Sequence, residues 1–194
     1  GSGIRSAIFI NGNLLTGPNY TAGRIAHLVI DPTGPLCDCG KRGCLLALAN
    51  DKALIQNALK IKKRKQYAKS ILSTIPDCDI TLSSITELAD DGDECAQAAM
   101  DSIASPIANG LSTLIDIINP RKIVLGGPIG YNSKYLVDRI RELLSSFSFY
   151  SQYNGLKIEQ GKLKDIGSAL GAATLVLQNK AELLYKWYIN NKNK

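Results

Sequence analysis

One histidine and three cysteines constrain this chain more than any other feature. His27 is the only histidine, and ten positions later comes Cys37-Asp38-Cys39-Gly40-Lys41-Arg42-Gly43-Cys44. Three thiols in so short a loop, with one upstream imidazole, form a full ligand set for one tetrahedral metal ion. Zinc takes four such donors and then has no open position for catalysis. Gly40 and Gly43 let the loop fold back so that the thiolates converge. The sequence therefore predicts a loop between residues 27 and 44 stapled by structural zinc on His27, Cys37, Cys39 and Cys44.

The rest of the composition fits a soluble globular chain. Of 194 residues, 45% are hydrophobic and 21% charged, ordinary values that allow one sizeable core. No run of about 18 apolar residues occurs, so no membrane span is expected. Gly1-Ser2-Gly3 opens directly into a strand-like run, without a signal peptide. Five cysteines, three of them clustered, argue against a disulfide framework and for a reducing cytoplasm. Cys78 and Cys95 read as bystanders. Much of the net charge of +6 sits in Lys60, Lys62, Lys63, Arg64, Lys65 and Lys69. That run reads either as contact with nucleic acid or an acidic partner, or as a solvated helix face. Only Tyr67 is interleaved, which favours the solvated face.

Along the chain, residues 4–10 read as a strand, Asn11-Gly12-Asn13 as a hairpin turn, and Leu14-Leu15 as the return. Residues 27–30 look like another strand, and Asp31-Pro32-Thr33-Gly34-Pro35 is the loop that delivers the cysteines. A helix starts at Cys44, with helical stretches through 51–74. Ser84 and Glu87 stand at capping-box spacing. From Glu94, apolar Ala99, Ile103, Ile107, Leu111, Leu114 and Ile118 mark one buried helix face, which Pro106 should kink. Residues 122–125 read as a buried strand leading into Gly126-Gly127. Helices are expected over 133–145 and 167–185, and a strand over 156–159. Strands alternating with helices imply an α/β fold with a mixed sheet. A strand, a glycine pair and a helix in succession also suit a ligand at the strand's carboxyl end.

These pieces, in this order, resemble the ROK family of repressors, open reading frames and sugar kinases. The resemblance rests on Gly1-Ser2-Gly3-Ile4, on Ala22 to His27, on Asp31 to Pro35, and on Cys37 to Leu45. Farther on it rests on Asn119 to Gly127 and on Leu170-Gly171-Ala172-Ala173. It implies an actin-like, ribonuclease-H-like ATPase fold of two lobes. Residues 1–194 match a single C-terminal lobe. The N-terminal lobe, with the catalytic aspartate, and the DNA-binding domain of repressor members are expected to be absent. The resemblance places nucleotide contacts at Gly1, Ser2, Gly3, Gly126 and Gly127, so ATP or ADP is the cofactor to consider beside zinc.

The departures from the family pattern weigh as much as the matches. Sugar-phosphorylating members have sugar-binding glutamates at the positions of Arg24 and Leu46, beside His27. Arginine is donor-only and leucine offers no acceptor for sugar hydroxyls. Arg5 and Ala26 replace glycines. The scaffold for zinc persists while the sugar-binding carboxylates are gone. The resemblance therefore implies an effector lobe without catalysis: the sugar- or sugar-phosphate-sensing, dimerising lobe of a cytoplasmic transcriptional regulator that meets DNA only through its absent N-terminal domain. The alternative is the C-terminal lobe of an ATP-dependent hexose kinase. A third reading is a degenerate protein acting through its terminal helix, with Leu175, Leu177, Leu183 and Leu184. The plainer reading of that helix is that it packs on its own sheet.

Overall fold

The computed structural model describes residues 3–146 and 155–192. Asn11 and Gly12 take positive φ angles of 51° and 79°, which bends the chain tightly enough to pair β1 (Phe9–Ile10) with β2 (Asn13–Leu14) antiparallel. That is the hairpin expected of Asn-Gly. The strand expected over 4–10 is only β1, because residues 3–7 have no described ladder partner. The strand expected over 27–30 does not form either. Ile25–His27 is a 3-10 turn, and Val29 makes a lone antiparallel bridge to Cys44.

Helices then dominate. In order they are α1 (Leu45–Ala49), α2 (Asp51–Ile61), α3 (Ile71–Thr74), α4 (Leu82–Asp90) and α5 (Glu94–Ile118). The Ser84 and Glu87 capping box is displaced by one turn. Thr81 is the N-cap, and it exchanges side-chain bonds with Ser84 at the third helical position. A serine hydroxyl there performs the back-bond usually given by glutamate. Helix α5 is the centre of the core. Ala99, Met100, Ile103, Ala104 and Ala108 are sealed from water, and α1, α2 and α4 pack around them. The helix runs on through Pro106 and stops at Asn119, which turns left-handed at φ 48° before Pro120.

Strand β3 (Lys122–Leu125) follows, then α6 (Gly127–Asn132), α7 (Lys134–Ser145) and β4 (Lys157–Gln160), which pairs with β3 in parallel. The strands thus sort into two separate pairs among the described residues, not one mixed sheet. β3 is also not the buried strand expected: its residues alternate between exposed and half-buried. Two carboxylates lock the corner of this assembly. Asp93 caps α5 at Ala96 and reaches Ser70 Oγ and Ile71 N at the start of α3. Asp90 accepts from Ser133 Oγ, Lys134 N and Tyr135 N, which fixes the start of α7.

The last helix, α8 (Gly167–Asn191), departs most from expectation. Leu170, Leu175, Val176, Leu177 and Leu184 are all exposed, and no α8 residue joins the described core cluster. The described side chains of α8 are therefore largely exposed and not packed into the core beside the β3–β4 pair. The side chain of Leu183 lies outside the described residues. No helix of the described residues is long and apolar enough to cross a membrane.

Candidate metal centre

The metal-type cluster is built by short-range backbone chemistry. Asp31 Oδ1 accepts from Thr33 N at 2.9 Å and from Thr33 Oγ1 at 2.7 Å, closing a side-chain turn at the head of the loop. These bonds hold the Asp31 carboxyl below the usual carboxylate range. Cys37 N donates to Lys41 O and Gly40 N to Cys37 O, each at 2.8 Å, which curls the knuckle. Gly43 O then receives both Ile30 N at 2.8 Å and Asp31 N at 3.2 Å, and Gly43 N donates to Pro35 O. Cys44 is the N-cap of α1. Leu45, the first residue of that helix, is buried against α5 close to Gly110, where an added Cβ would stand a tight 3.0 Å from Leu45 Cδ2.

This framework brings His27, Cys37, Cys39 and Cys44 together, with their ligand atoms all within 4.8 Å of one another. Cys37 Sγ lies 3.7 Å from His27 Nδ1, and Cys39 Sγ lies 3.5 Å from Cys44 Sγ. Bonds of about 2.0–2.3 Å to a tetrahedral zinc place donors roughly 3.3–3.8 Å apart, so both pairs already have the spacing of ligand edges. Cys37 and Cys44 are buried and Cys39 is exposed. The Lys41 backbone N–H lowers the Cys39 thiol from its ordinary value, whereas burial pushes the Cys44 thiol up to about 12. The donor set and its spacing therefore fit zinc.

The other residues singled out in the sequence are placed differently. Arg24 is exposed at the N-cap of the 3-10 turn that carries His27. Leu46 is half-buried on α1, and that helix packs against the same turn. Gly3, Gly126 and Gly127 lie on exposed backbone with open space where a Cβ would stand; Gly1 and Ser2 lie outside the described residues. In the basic run, Lys62 is structural: its ammonium donates to Ile75 O and to Asp77 Oδ1. Asp31 and Gly110 escaped the sequence reading. The Asp-x-Thr spacing was a usable signal for the first; nothing local marks the second. Away from the knuckle, a groove of about 320 Å³ is lined by Tyr67, Glu94, Asp101 and Tyr135. Its Asp101 is already engaged by Tyr135 Oη and Arg139 Nε, both at 3.0 Å.

Comparison with known proteins gives this geometry a setting. The family model described as ROK family matches residues 1–179. The xylose repressor of Caldicellulosiruptor bescii is 30% identical over 92% of this chain and 45% of its own length. A ROK family glucokinase from Streptomyces griseus, solved with glucose and AMPPNP, superposes with a TM-score of 0.79 at 25% identity, over 90% of this chain and 57% of that one. A ROK family transcriptional regulator, a homologue of the E. coli MLC protein, superposes at 0.69 with 28% identity, over 82% of this chain and 39% of that one. The chain thus spans about half the length of the relatives it matches, and those relatives include both repressors and kinases.

Proposed function

This chain belongs to the ROK family, and on that premise we propose that it is the effector-binding and dimerising lobe of a transcriptional regulator, without phosphoryl-transfer activity. The observation that carries the reading is the pair Arg24 and Leu46. The two elements that converge on the cysteine knuckle present a cation and a hydrocarbon where a hexose would require acceptors for its hydroxyl protons. General-base catalysis also needs a carboxylate or free imidazole within hydrogen-bond reach of the reacting hydroxyl. His27 cannot serve as that base through the nitrogen it turns toward the thiols.

Zinc on His27, Cys37, Cys39 and Cys44 supplies cross-linking, since four protein donors fill its coordination shell. The chain's own residues then set the effector surface. Cys44 fixes the first turn of α1, and the 3-10 turn presents Arg24 beside it. A cytoplasmic sugar or sugar-phosphate effector suits this surface, and DNA contact belongs to a segment beyond residues 1–194. Gly3, Gly126 and Gly127 leave space for nucleotide without requiring it.

The kinase reading has one observation in its favour, the higher superposition on the glucokinase. ATP-dependent phosphorylation of a panel of hexoses and N-acetylhexosamines, by the polypeptide that contains this chain, separates the two. No turnover is expected. Robust turnover would overturn the regulatory assignment and establish the kinase.

A further inference from the structure

We infer that the knuckle is a thiol switch: a hydroperoxide joins Cys39 to Cys44 as a disulfide and so empties the metal site. The thiols differ in access. Cys39 is exposed, whereas Cys37 and Cys44 are buried, Cys44 completely. The Cys39 and Cys44 sulfurs stand 3.5 Å apart. A disulfide bond of about 2.05 Å therefore asks for a closure of roughly 1.5 Å. Cys39 is the partner free to move. Beside it, Gly40 has φ 87° and no atom within 4 Å of where a Cβ would stand. Cys44 is fixed as the N-cap of α1, and the next residue, Leu45, donates its N–H to Leu28 O at 2.9 Å.

With a hydroperoxide as oxidant the step balances. The Cys39 thiolate attacks a peroxide oxygen, the O–O bond breaks, and hydroxide leaves a sulfenic acid on Cys39. The Cys44 thiolate then attacks the Cys39 sulfur. The S–S bond forms, the S–O bond breaks, and a second hydroxide leaves. Two thiolates lose two electrons and the peroxide gains them. Burial shields Cys44 from the oxidant, and its nearness lets it trap the sulfenic acid before higher oxidation states form. The product retains His27 and Cys37 alone of the four donors, too few to hold a structural zinc. His27 then loses its anchor, and the 3-10 turn that carries it has Arg24 at its N-cap. The state of the two thiols is thereby passed to the proposed effector surface. A dithiol reductant reverses the step by exchange and restores the ligand set, as a transient disulfide in a reducing compartment requires. Every group that the step uses lies within residues 27–44, so it does not depend on what covers the rest of the chain.

This inference rests on the zinc reading of the proposed function. The test treats the zinc-loaded polypeptide that contains this chain with hydrogen peroxide and follows zinc release with a chromophoric chelator. Free thiols are then alkylated and the protein is cut with trypsin. Lys41 and Arg42 lie between the two cysteines, so only a disulfide keeps the two fragments joined, and mass spectrometry finds the alkyl label on Cys37. Zinc release is expected in a one-to-one ratio with the Cys39–Cys44 disulfide, with zinc taken up again after dithiothreitol. Cys78→Ser, which removes the other exposed thiol, should give the same yield. Full zinc retention under peroxide overturns the switch and leaves the zinc site standing. Zinc loss with Cys39 driven to sulfinic acid, or with Cys44 bonded to Cys37 instead, does the same. A polypeptide that carries no zinc before oxidation overturns the metal reading, and the switch with it.

Discussion

Gly43→Ala should disable the cysteine knuckle, whereas Gly40→Ala, three residues away, should barely disturb it. Both glycines have positive φ, 62° at Gly43 and 87° at Gly40, so each alanine incurs about 1–2 kcal/mol of backbone strain. A stiffer unfolded chain returns about 0.4–1 kcal/mol. At Gly40 that is the whole account, because no atom lies within 4 Å of the added Cβ. At Gly43 the added Cβ would stand 1.4 Å from Asp31 O and 2.4 Å from Asp31 C. Those are backbone atoms, and no rotamer relieves the overlap. The two segments must separate, which breaks the bonds that Gly43 O receives from Ile30 N and Asp31 N. Two backbone hydrogen bonds add about 2 kcal/mol. The expected losses are therefore about 1 kcal/mol for Gly40→Ala and at least 3 kcal/mol for Gly43→Ala, the latter a large share of the 5–15 kcal/mol typical of a domain. Urea denaturation of the zinc-loaded chain measures the difference, with bound zinc determined in parallel by mass spectrometry. Equal midpoints and equal zinc contents for the two variants would refute the close approach of residues 31 and 43 as the support of the knuckle.

Further outcomes follow from the same geometry. Protein never exposed to chelator should carry one zinc per chain, and Cys44→Ser should lose it along with the fold around α1; full zinc retention in Cys44→Ser would remove that residue from the ligand set. Gly110→Leu should expel Leu45 from its seat on α5 and cost several kcal/mol, as overpacking does, with the loss read as a lower thermal midpoint. Burial acts to raise the Asp93 pKa, but bonds from Ala96, Ser70, Ile71 and Leu72 outweigh it, and the folded value lies below the ordinary one. A depressed carboxyl stabilises the fold above the unfolded pKa of about 3.9, and that contribution is lost as pH falls through the folded value. Asp93→Asn should therefore flatten the acid limb of a stability-against-pH curve, and an unchanged limb would contradict the assignment. In the polypeptide containing this chain, Arg24→Glu with Leu46→Glu should improve hexose binding by calorimetry.

What was legible in the sequence was what forms over a few residues. The Asn11-Gly12 hairpin, the convergence of Cys37, Cys39 and Cys44 with His27, and the stop of α5 at Asn119-Pro120 each depend on local backbone preference or on donor chemistry. The extent of residues 4–10 and 27–30 as strands was not legible, since a ladder needs a partner that local patterning does not supply. The capping box slipped by a turn because Ser84 suits both the N-cap and the third helical position; only the Thr81 backbone decides between them.

The same logic separates the two ends of the molecule. At the knuckle, all four donors and the glycine that shapes them fall within residues 27–44, so sequence and structure converge on one site. At α8 the apolar side chains are equally plain in the sequence, but their burial depends on what lies alongside. Packing on the chain's own sheet is the economical assumption for an apolar helix. Here the described side chains of α8 are exposed, and Val124 of β3 is itself 54% exposed. An apolar helix and a bare sheet on one chain are separate surfaces awaiting separate cover.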